Sequence, residues 1–316
     1  MKTGQRQSEL ETPLDSKVIG CSRVLKTISK NIETGVMMPE LPEVETVVQA
    51  LKPRLQGCLL TRVIVHDPRV LEIPPRSFTE RLRKRHIQKV WRRGKWILIT
   101  LDHHETILIQ LRMTGQMLLV CPERDQHLRL FFELENGKGC WYYDTRCLGH
   151  ITLLTAEQLE ERLSERYLGP DALDISQSDL FSRLQSTKRN IKSTLLDQRV
   201  ISGIGNIYAD EILFKMEIHP ETPASGLNRN QVSQLRKTIR SVLRKAIKKG
   251  GSTLRDGQYQ NVNGKPGYFQ MEHCAYGREG EPCPRCDGII ARRRIHGLSS
   301  RSSYYCPLCQ EKPVGV

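Results

Sequence analysis

From Pro42 onward the chain changes hydrophobic rhythm twice. Val44, Val47, Val48, Leu51 and Leu55 recur at helical spacing and Gly57 closes the run, which predicts one leading helix. Six stretches then alternate with period two: "TRVIVHD", "KWILITL", "TILIQLRMTG", "QMLLV", "LRLFFEL" and "GCWYYD". Short turns separate them, and the Asn-Gly pair in "ENGK" (Glu135 to Lys138) suits a tight hairpin. A helix followed by six hairpin-spaced strands predicts an antiparallel β-sandwich or flattened barrel.

After about Leu154 the rhythm turns helical. "TAEQLEERLSERYLG", "SQSDLFSRLQ", the stretch from Ile191 to Val200, "NIYADEILFKM" and "RNQVSQLRKTIRSVLRKAIKKGG" all fit. In the last of these, Val232, Leu235, Ile239, Val242, Leu243, Ala246 and Ile247 form one apolar stripe facing a core. Residues 252–272, rich in Gly, Asn and Gln, read as a long mobile loop. A compact, Arg-rich, cysteine-bearing module ends the chain. The pattern predicts an α+β multidomain protein, divided into residues 1–37, 38–165, 166–265 and 266–316. Residues 1–37 are polar and weakly patterned, and the expectation is that they are non-functional or absent from the mature protein.

Composition narrows the class. Of 316 residues 38% are hydrophobic and 27% charged, as in a soluble globular protein. No apolar run approaches a membrane span. A net charge of +14 points to a polyanionic partner over a merely solvated basic surface. The first 37 residues lack an apolar secretory core and carry Glu9, Glu11, Asp15 and Glu33, unlike an organelle transit peptide, so a reducing, cytoplasmic compartment is expected.

A reducing compartment makes paired cysteines metal ligands before bridges or redox dithiols. "CPRC" (Cys283, Cys286) and "CPLC" (Cys306, Cys309) give C-x2-C-x19-C-x2-C, the spacing of one closed, structural zinc. The intervening hairpin presents Arg292, Arg293, Arg294 and Arg301, suited to phosphate contact. Cys21, Cys58, Cys121, Cys140, Cys147 and Cys274 lack such spacing and read as isolated thiols. In "VISGIGNIYADEI", Gly203 and Gly205 mark a tight turn into a helix, which reads as a phosphate cradle beside Lys188, Arg189 and Lys192, or simply as a helix–helix turn.

"MPELPEVET", "RRGKW", "LRMTGQ", "DQRVISGIGNIYADEILF", "GKPGYF" and the four-cysteine finger, in this order, resemble the bacterial formamidopyrimidine-DNA glycosylase family from Met38 to about Gln310. The related endonuclease VIII-like branch opens differently. The resemblance implies an N-terminal antiparallel β-sandwich with a leading helix, a central helix-two-turn-helix domain and a C-terminal zinc-finger β-hairpin. It implies a monomeric base-excision enzyme that acts on double-stranded DNA containing oxidised purines (8-oxoguanine, formamidopyrimidines) and nicks the abasic strand by β,δ-elimination. Carried over by position, the nucleophile falls on Pro39, the acid–base carboxyl on Glu40 and a supporting carboxylate on Glu43. The lysine of β-elimination falls on Lys95 and the finger arginine of the second elimination on Arg301. Backbone-gripping positions fall on Lys192 and Asn206, with Arg189 adjacent. Met113, Arg146 and Leu148 fall where side chains fill the hole left by the extruded base, and Arg255 matches a basic position in the loop over that base. The sequence departs from the family pattern at Leu148 (usually Phe), Cys147 (often Arg), Asp125 (often His) and in a finger hairpin about three residues longer.

The chemistry explains the residue types. A terminal proline is a secondary amine whose attack on C1′ leaves a positively charged iminium, whereas an internal proline nitrogen is delocalised into its amide. The expectation is therefore that the active form begins at Pro39. A non-catalytic zinc-dependent DNA-binding protein, and a purely structural zinc ribbon, are the competing readings; the ribbon accounts only for the cysteines.

Overall fold

A computed structural model describes residues 38–121, 125–254, 256–295 and 301–312. The expectations for residues 1–37, for Arg255 and for the Asp125 side chain lie outside the described residues.

Helix α1 (Leu41–Leu55) starts where the sequence predicts. The Glu40 amide donates to Glu43 Oε2 at 2.8 Å, which satisfies one of the donors a helix start leaves open, and Pro42 sits where no amide is needed. Its predicted stripe is buried, from Leu41 through Leu55. Eight strands follow: β1 (Leu59–Val65), β2 (Arg85–Arg93), β3 (Trp96–Leu101), β4 (Thr106–Gln110), β5 (Gly115–Leu118), β6 (Leu128–Leu134), β7 (Gly139–Asp144) and β8 (His150–Leu154), with α2 (Pro75–Leu82) between the first two. They order as β5-β7-β6-β1-β2-β3-β4-β8, all antiparallel. The β1–β2 seam is only two residue pairs long, so two four-stranded halves meet there. Ile97, Ile99, Ile107, Ile109 and Ile151 of one half share a single core with Leu60, Leu130, Phe132 and Tyr142 of the other and with α1. On the reverse face, Leu98, Leu108 and Leu154 pack beneath Leu159 of α3 (Ala156–Leu163).

Two strands and one helix were not predicted. In β2, "RHIQKVWRR", the register shifts between Ile87 and Lys89, so the buried residues Ile87 and Val90 are three apart and the period-two signal is lost. Segment α2 buries only Phe78 and Leu82, too few to mark a helical stripe, and β8 buries four residues in a row and so shows no alternation.

The helical part comprises α4 (Gln177–Gln185), α5 (Ile191–Leu196), α6 (Asn206–Lys215) and α7 (Arg229–Lys248). Asn228 and Gln231 cap α7 reciprocally, each side chain bonding the other's amide at 2.9 Å. The described part of residues 252–272 contains only a short 3-10 turn, as the expected loop would, but it is anchored to the sheet: the Leu119 amide donates to the Val262 carbonyl, Gln116 donates to the Gln258 carbonyl, and Tyr259 and Val262 are buried. The chain ends in the hairpin β9 (Ala291–Arg294) and β10 (Ser302–Tyr305), seated on a small core of Phe214, Ala275, Cys283, Ile290 and Cys306.

Candidate functional site

Pro39, Lys95 and Arg301, far apart in sequence, line one cleft of about 220 Å³ together with Met38, Trp96, Gln110, Arg112, Tyr167, Leu168, Leu196 and Gln198. Directly behind it lies Glu40, 3% exposed. Its Oε2 accepts from the Gly205 amide at 2.6 Å and its Oε1 from the Ile207 amide at 3.0 Å. The expected phosphate cradle at the start of α6 is thus filled by a carboxylate of the chain itself. The glycines are there to admit it: a Cβ on Gly205 would lie 2.3 Å from the Glu40 carboxyl carbon, and one on Gly203 2.5 Å from Leu41. Gly203 also has φ +107°.

Burial raises the Glu40 carboxyl above its ordinary value, opposed by the Lys95 charge and the α6 amides. Glu43 is raised to about 7, by burial first and by the neighbouring Glu40 charge second. Its oxygens accept from the Tyr208 hydroxyl at 2.5 Å, the Ser252 amide at 2.8 Å and the Glu40 amide. Lys95 moves the other way, lowered to about 8 because burial disfavours its charge, with Glu40 opposing and Arg301 reinforcing. Two buried carboxyls and a lowered ammonium beside an open cleft form an arrangement able to hold and move protons near neutral pH.

Lys95 lies in the β2–β3 turn, and that turn is tied to the helical part. Arg92, buried, forks onto both Asp171 oxygens at 2.6 and 3.1 Å and reaches Glu45 at 2.7 Å. The Gly94 amide also donates to Asp171, and Arg93 donates to the Gly169 carbonyl and the Ser202 hydroxyl.

Met113 occupies the half-buried β4–β5 turn, while Arg146 (exposed) and Leu148 (half-buried) occupy the β7–β8 loop. One fully buried side chain joins the two turns. Asp144 accepts from Thr114 on one and from the Arg146 and Gly149 amides on the other, at 3.1 and 2.8 Å. Cys147, at φ +50°, donates to Asp67. Arg112 shares the cleft with Lys95; its backbone is left-handed at φ +54° and its buried Nε makes no hydrogen bond among the described residues. Neither Asp144 nor Arg112 was singled out from sequence, because a lone polar residue at a strand end or in a turn carries no periodic signal; only the Asp-x-x-x-x-Gly spacing around the loop could have pointed to Asp144.

The backbone-gripping candidates are placed unequally. Arg189 is exposed and pairs with Asp197 at 3.0 Å. Asn206 is half-buried, donating to the Ser302 carbonyl at 3.2 Å. Lys192 is fully buried, 2.7 Å from Asp210 Oδ1 and 2.9 Å from the same carbonyl.

Cys283, Cys286, Cys306 and Cys309 gather with all four Sγ atoms within 4.8 Å of one another. Cys283–Cys309, Cys286–Cys306 and Cys286–Cys309 are 3.8, 3.5 and 3.4 Å apart. A sulfur tetrahedron with metal bonds of about 2.3 Å has edges of about 3.8 Å, so these thiols fit a zinc ion and are far too separated for disulfides. Among the described residues no other group of three or more His, Cys, Asp or Glu converges in this way. No helix among the described residues is long and apolar enough to cross a membrane.

Comparison with known proteins follows the same division. Residues 38–151 match the formamidopyrimidine-DNA glycosylase N-terminal domain, residues 168–258 the H2TH domain of the same enzymes, and residues 280–312 the zinc finger found in FPG and IleRS. A formamidopyrimidine-DNA glycosylase of Chloroflexus aurantiacus is 41% identical over 276 residues, 86% of this chain and 98% of that protein. One from Herpetosiphon aurantiacus is 41% identical over all of its own length. The crystal structure of MutM (FPG) from Thermus thermophilus superimposes with a TM-score of 0.77 at 36% identity, covering 87% of this chain and all of that one. The Lactococcus lactis Fpg in complex with abasic-site-containing DNA gives 0.77 at 30% identity, covering 86% of this chain and all of that one.

Proposed function

Because the chain belongs to the formamidopyrimidine-DNA glycosylase family, a family of DNA-binding repair glycosylases, we propose that it excises oxidised purines from duplex DNA and then cleaves the abasic strand by β,δ-elimination, with the Pro39 nitrogen as nucleophile. The observation that carries this reading is the shared cleft of Pro39, Lys95 and Arg301 against buried Glu40. The structural relatives include Fpg bound to Fapy-dG-containing and abasic DNA, which supports a DNA partner carrying the damaged nucleotide out of its stack.

The amine attacks C1′, the C1′–N bond breaks with its electron pair going to the base, and a proton is delivered to the departing base or ring oxygen. Glu40, raised in pKa and oriented by two α6 amides, is the donor. Once the amine has lost its proton, its lone pair forms the C1′=N bond of the Pro39 iminium as the C1′–O4′ bond breaks with its pair going to the ring oxygen, which takes up a proton; the iminium then drains electrons from C2′. A C2′ proton leaves and the 3′-phosphate departs with the C3′–O pair; a C4′ proton then leaves and the 5′-phosphate departs with the C5′–O pair. Lys95 and Arg301 stabilise charge on the leaving phosphates. Met113 and Leu148, with Arg146, occupy the space the everted nucleotide vacates, Arg189, Lys192 and Asn206 provide or support the grip on the backbone, and Arg255 belongs to the loop over the everted base. Cys283, Cys286, Cys306 and Cys309 hold one zinc, which when bound fixes the finger that bears Arg301 and takes no part in the bond changes.

This chemistry requires Pro39 to carry a free amine, and the family match begins at residue 38. Borohydride trapping on DNA containing 8-oxoguanine tests it. Protein beginning at Pro39 cross-links to the DNA, while protein retaining the residues before Pro39 binds without cross-linking. Equal trapping by both forms overturns the proline mechanism; trapping by neither leaves a DNA-binding protein without catalysis.

A further inference from the structure

Helix α6 carries adjacent acids with different partners. Glu211 accepts the Cys274, Ala275 and Tyr276 amides at 2.8 to 2.9 Å and so docks the base of the finger. Arg285 adds a bond to the Phe214 carbonyl, and Gln310 one to the Ile218 carbonyl. Asp210, 1% exposed, reaches further along the finger. Its Oδ2 accepts the Tyr304 amide at 3.1 Å, and its Oδ1 lies 2.7 Å from the Lys192 ammonium. That ammonium and the Asn206 side chain both donate to the Ser302 carbonyl. Two peptide groups immediately after Arg301 are therefore held by one buried polar cluster.

A two-stranded hairpin is marginal by itself, so the β9–β10 ladder cannot fix where its end points. A buried ion pair contributes little net stability compared with apolar packing, but it specifies geometry. Docking is already supplied by Glu211, Arg285, Gln310 and the apolar cluster around Phe214. What Asp210 adds lies at the point where the chain leaves for the cleft.

We infer that Asp210 is a positioning residue for the second elimination: through the Tyr304 amide and Lys192 it sets the start of β10, and so the reach of Arg301 into the cleft. The inference rests on the reading in which Arg301 assists departure of the 5′-phosphate. Lys192 thereby links the grip on DNA to the hairpin and is not an isolated phosphate contact.

The experiment uses zinc-loaded protein beginning at Pro39, a duplex with a preformed abasic site, and the variants Asp210→Ala and Asp210→Asn. The readouts are the ratio of δ- to β-product, the rate of borohydride trapping, zinc content and melting temperature. Displacing a catalytic group by about 1 Å costs up to about a hundredfold, so Asp210→Ala is expected to lower the δ-to-β ratio at least about tenfold. Trapping at Pro39 stays within about twofold, because the attack on C1′ does not use Arg301. Asp210→Asn keeps an acceptor for the Tyr304 amide and falls between, which preserves the test if the alanine variant does not fold. A ratio that is unchanged in Asp210→Asn and Asp210→Ala, or that falls only in step with trapping and zinc content, overturns the inference. Failure of the underlying reading shows separately, in the unsubstituted protein, as absence of trapping or of δ-product.

Discussion

The two walls of the cleft are built on different physics. Pro39, Lys95 and Arg112 stand on a sheet domain whose core runs unbroken from α1 through both halves of the sheet and into α7. Arg301 stands on a hairpin whose core is five residues, two of them cysteines. Complete burial of a leucine such as Leu41 contributes about 2 kcal/mol, and the first wall has many such residues. The second has too few to fold unaided, as small modules generally do without a metal or a bridge. The comparison teaches that one catalytic cleft can combine a wall fixed by burial with one fixed by ligation, and that the two are separable.

Removing the metal is the severest way to break this comparison. Chelation, or Cys306→Ser, should release the finger and leave the sheet wall standing. The expected loss is at least about tenfold in DNA affinity, with strand cleavage falling further, since the hairpin carries Arg292, Arg293, Arg294 and Arg301, four cations suited to phosphate. All three tryptophans (Trp91, Trp96 and Trp141) lie in the sheet, but Trp96 lines the cleft beside Arg301, so in a Trp96→Phe background the fluorescence of Trp91 and Trp141 reports on that wall alone. Unchanged tryptophan emission alongside lost cleavage sustains the separation; an emission shift that follows metal loss means the two walls fold as one.

The walls also differ in how far the sequence reveals them. The four thiolates of the finger announce themselves by spacing, and their convergence needs no structure to foresee. The leading helix, the "ENGK" turn and the stripe of α7 are equally plain, because burial imposes a period on them. The seam strand β2 is hidden by its bulge and by Arg85, Lys89, Arg92 and Arg93. Hidden too are the single buried acids Asp144, Asp171 and Asp210, each of which ties distant segments through backbone amides or arginines. A bond across 165 residues, such as Glu40 to Gly205, leaves no mark on local pattern. The Gly-x-Gly turn reads as a phosphate cradle because its tight geometry is legible, whereas the carboxylate filling it is not.

Lys95 supplies a gentler test of the buried wall. Burial lowers its ammonium to about 8, so the charged form dominates below that value and is lost as pH rises through it. If the charge assists phosphate departure, the elimination rate should fall about tenfold per pH unit above about 8. Lys95→Arg should move that limb beyond the accessible range, since a guanidinium keeps its proton there, while lowering the rate at neutral pH. A limb that persists in Lys95→Arg assigns it to another group and removes Lys95 from the charge-stabilising role.

The finest contrast lies in the two buried acids behind the walls. Glu43 and Asp210 are both raised to about 7, and burial is the leading cause for each. Their neighbours have opposite signs: Glu40 pushes Glu43 further up, whereas Lys192 pulls Asp210 down. Carbon-13 titration of the two carboxyls should show midpoints near 7, well above the usual carboxylate range. Glu40→Gln should lower the Glu43 midpoint, and Lys192→Met should raise that of Asp210. Because the unfolded chain ionises each acid first, each raised value makes stability decline as pH rises to about 7, from about 3.8 for Asp210 and about 4.5 for Glu43, by on the order of 3 to 4 kcal/mol per group at most. The cost is tolerable only where the surrounding fold over-determines the site. The amides and hydroxyl around Glu43 and the amide and ammonium around Asp210 meet that condition. Midpoints unmoved in both variants would show that burial alone governs the pair and that the neighbouring charges are screened.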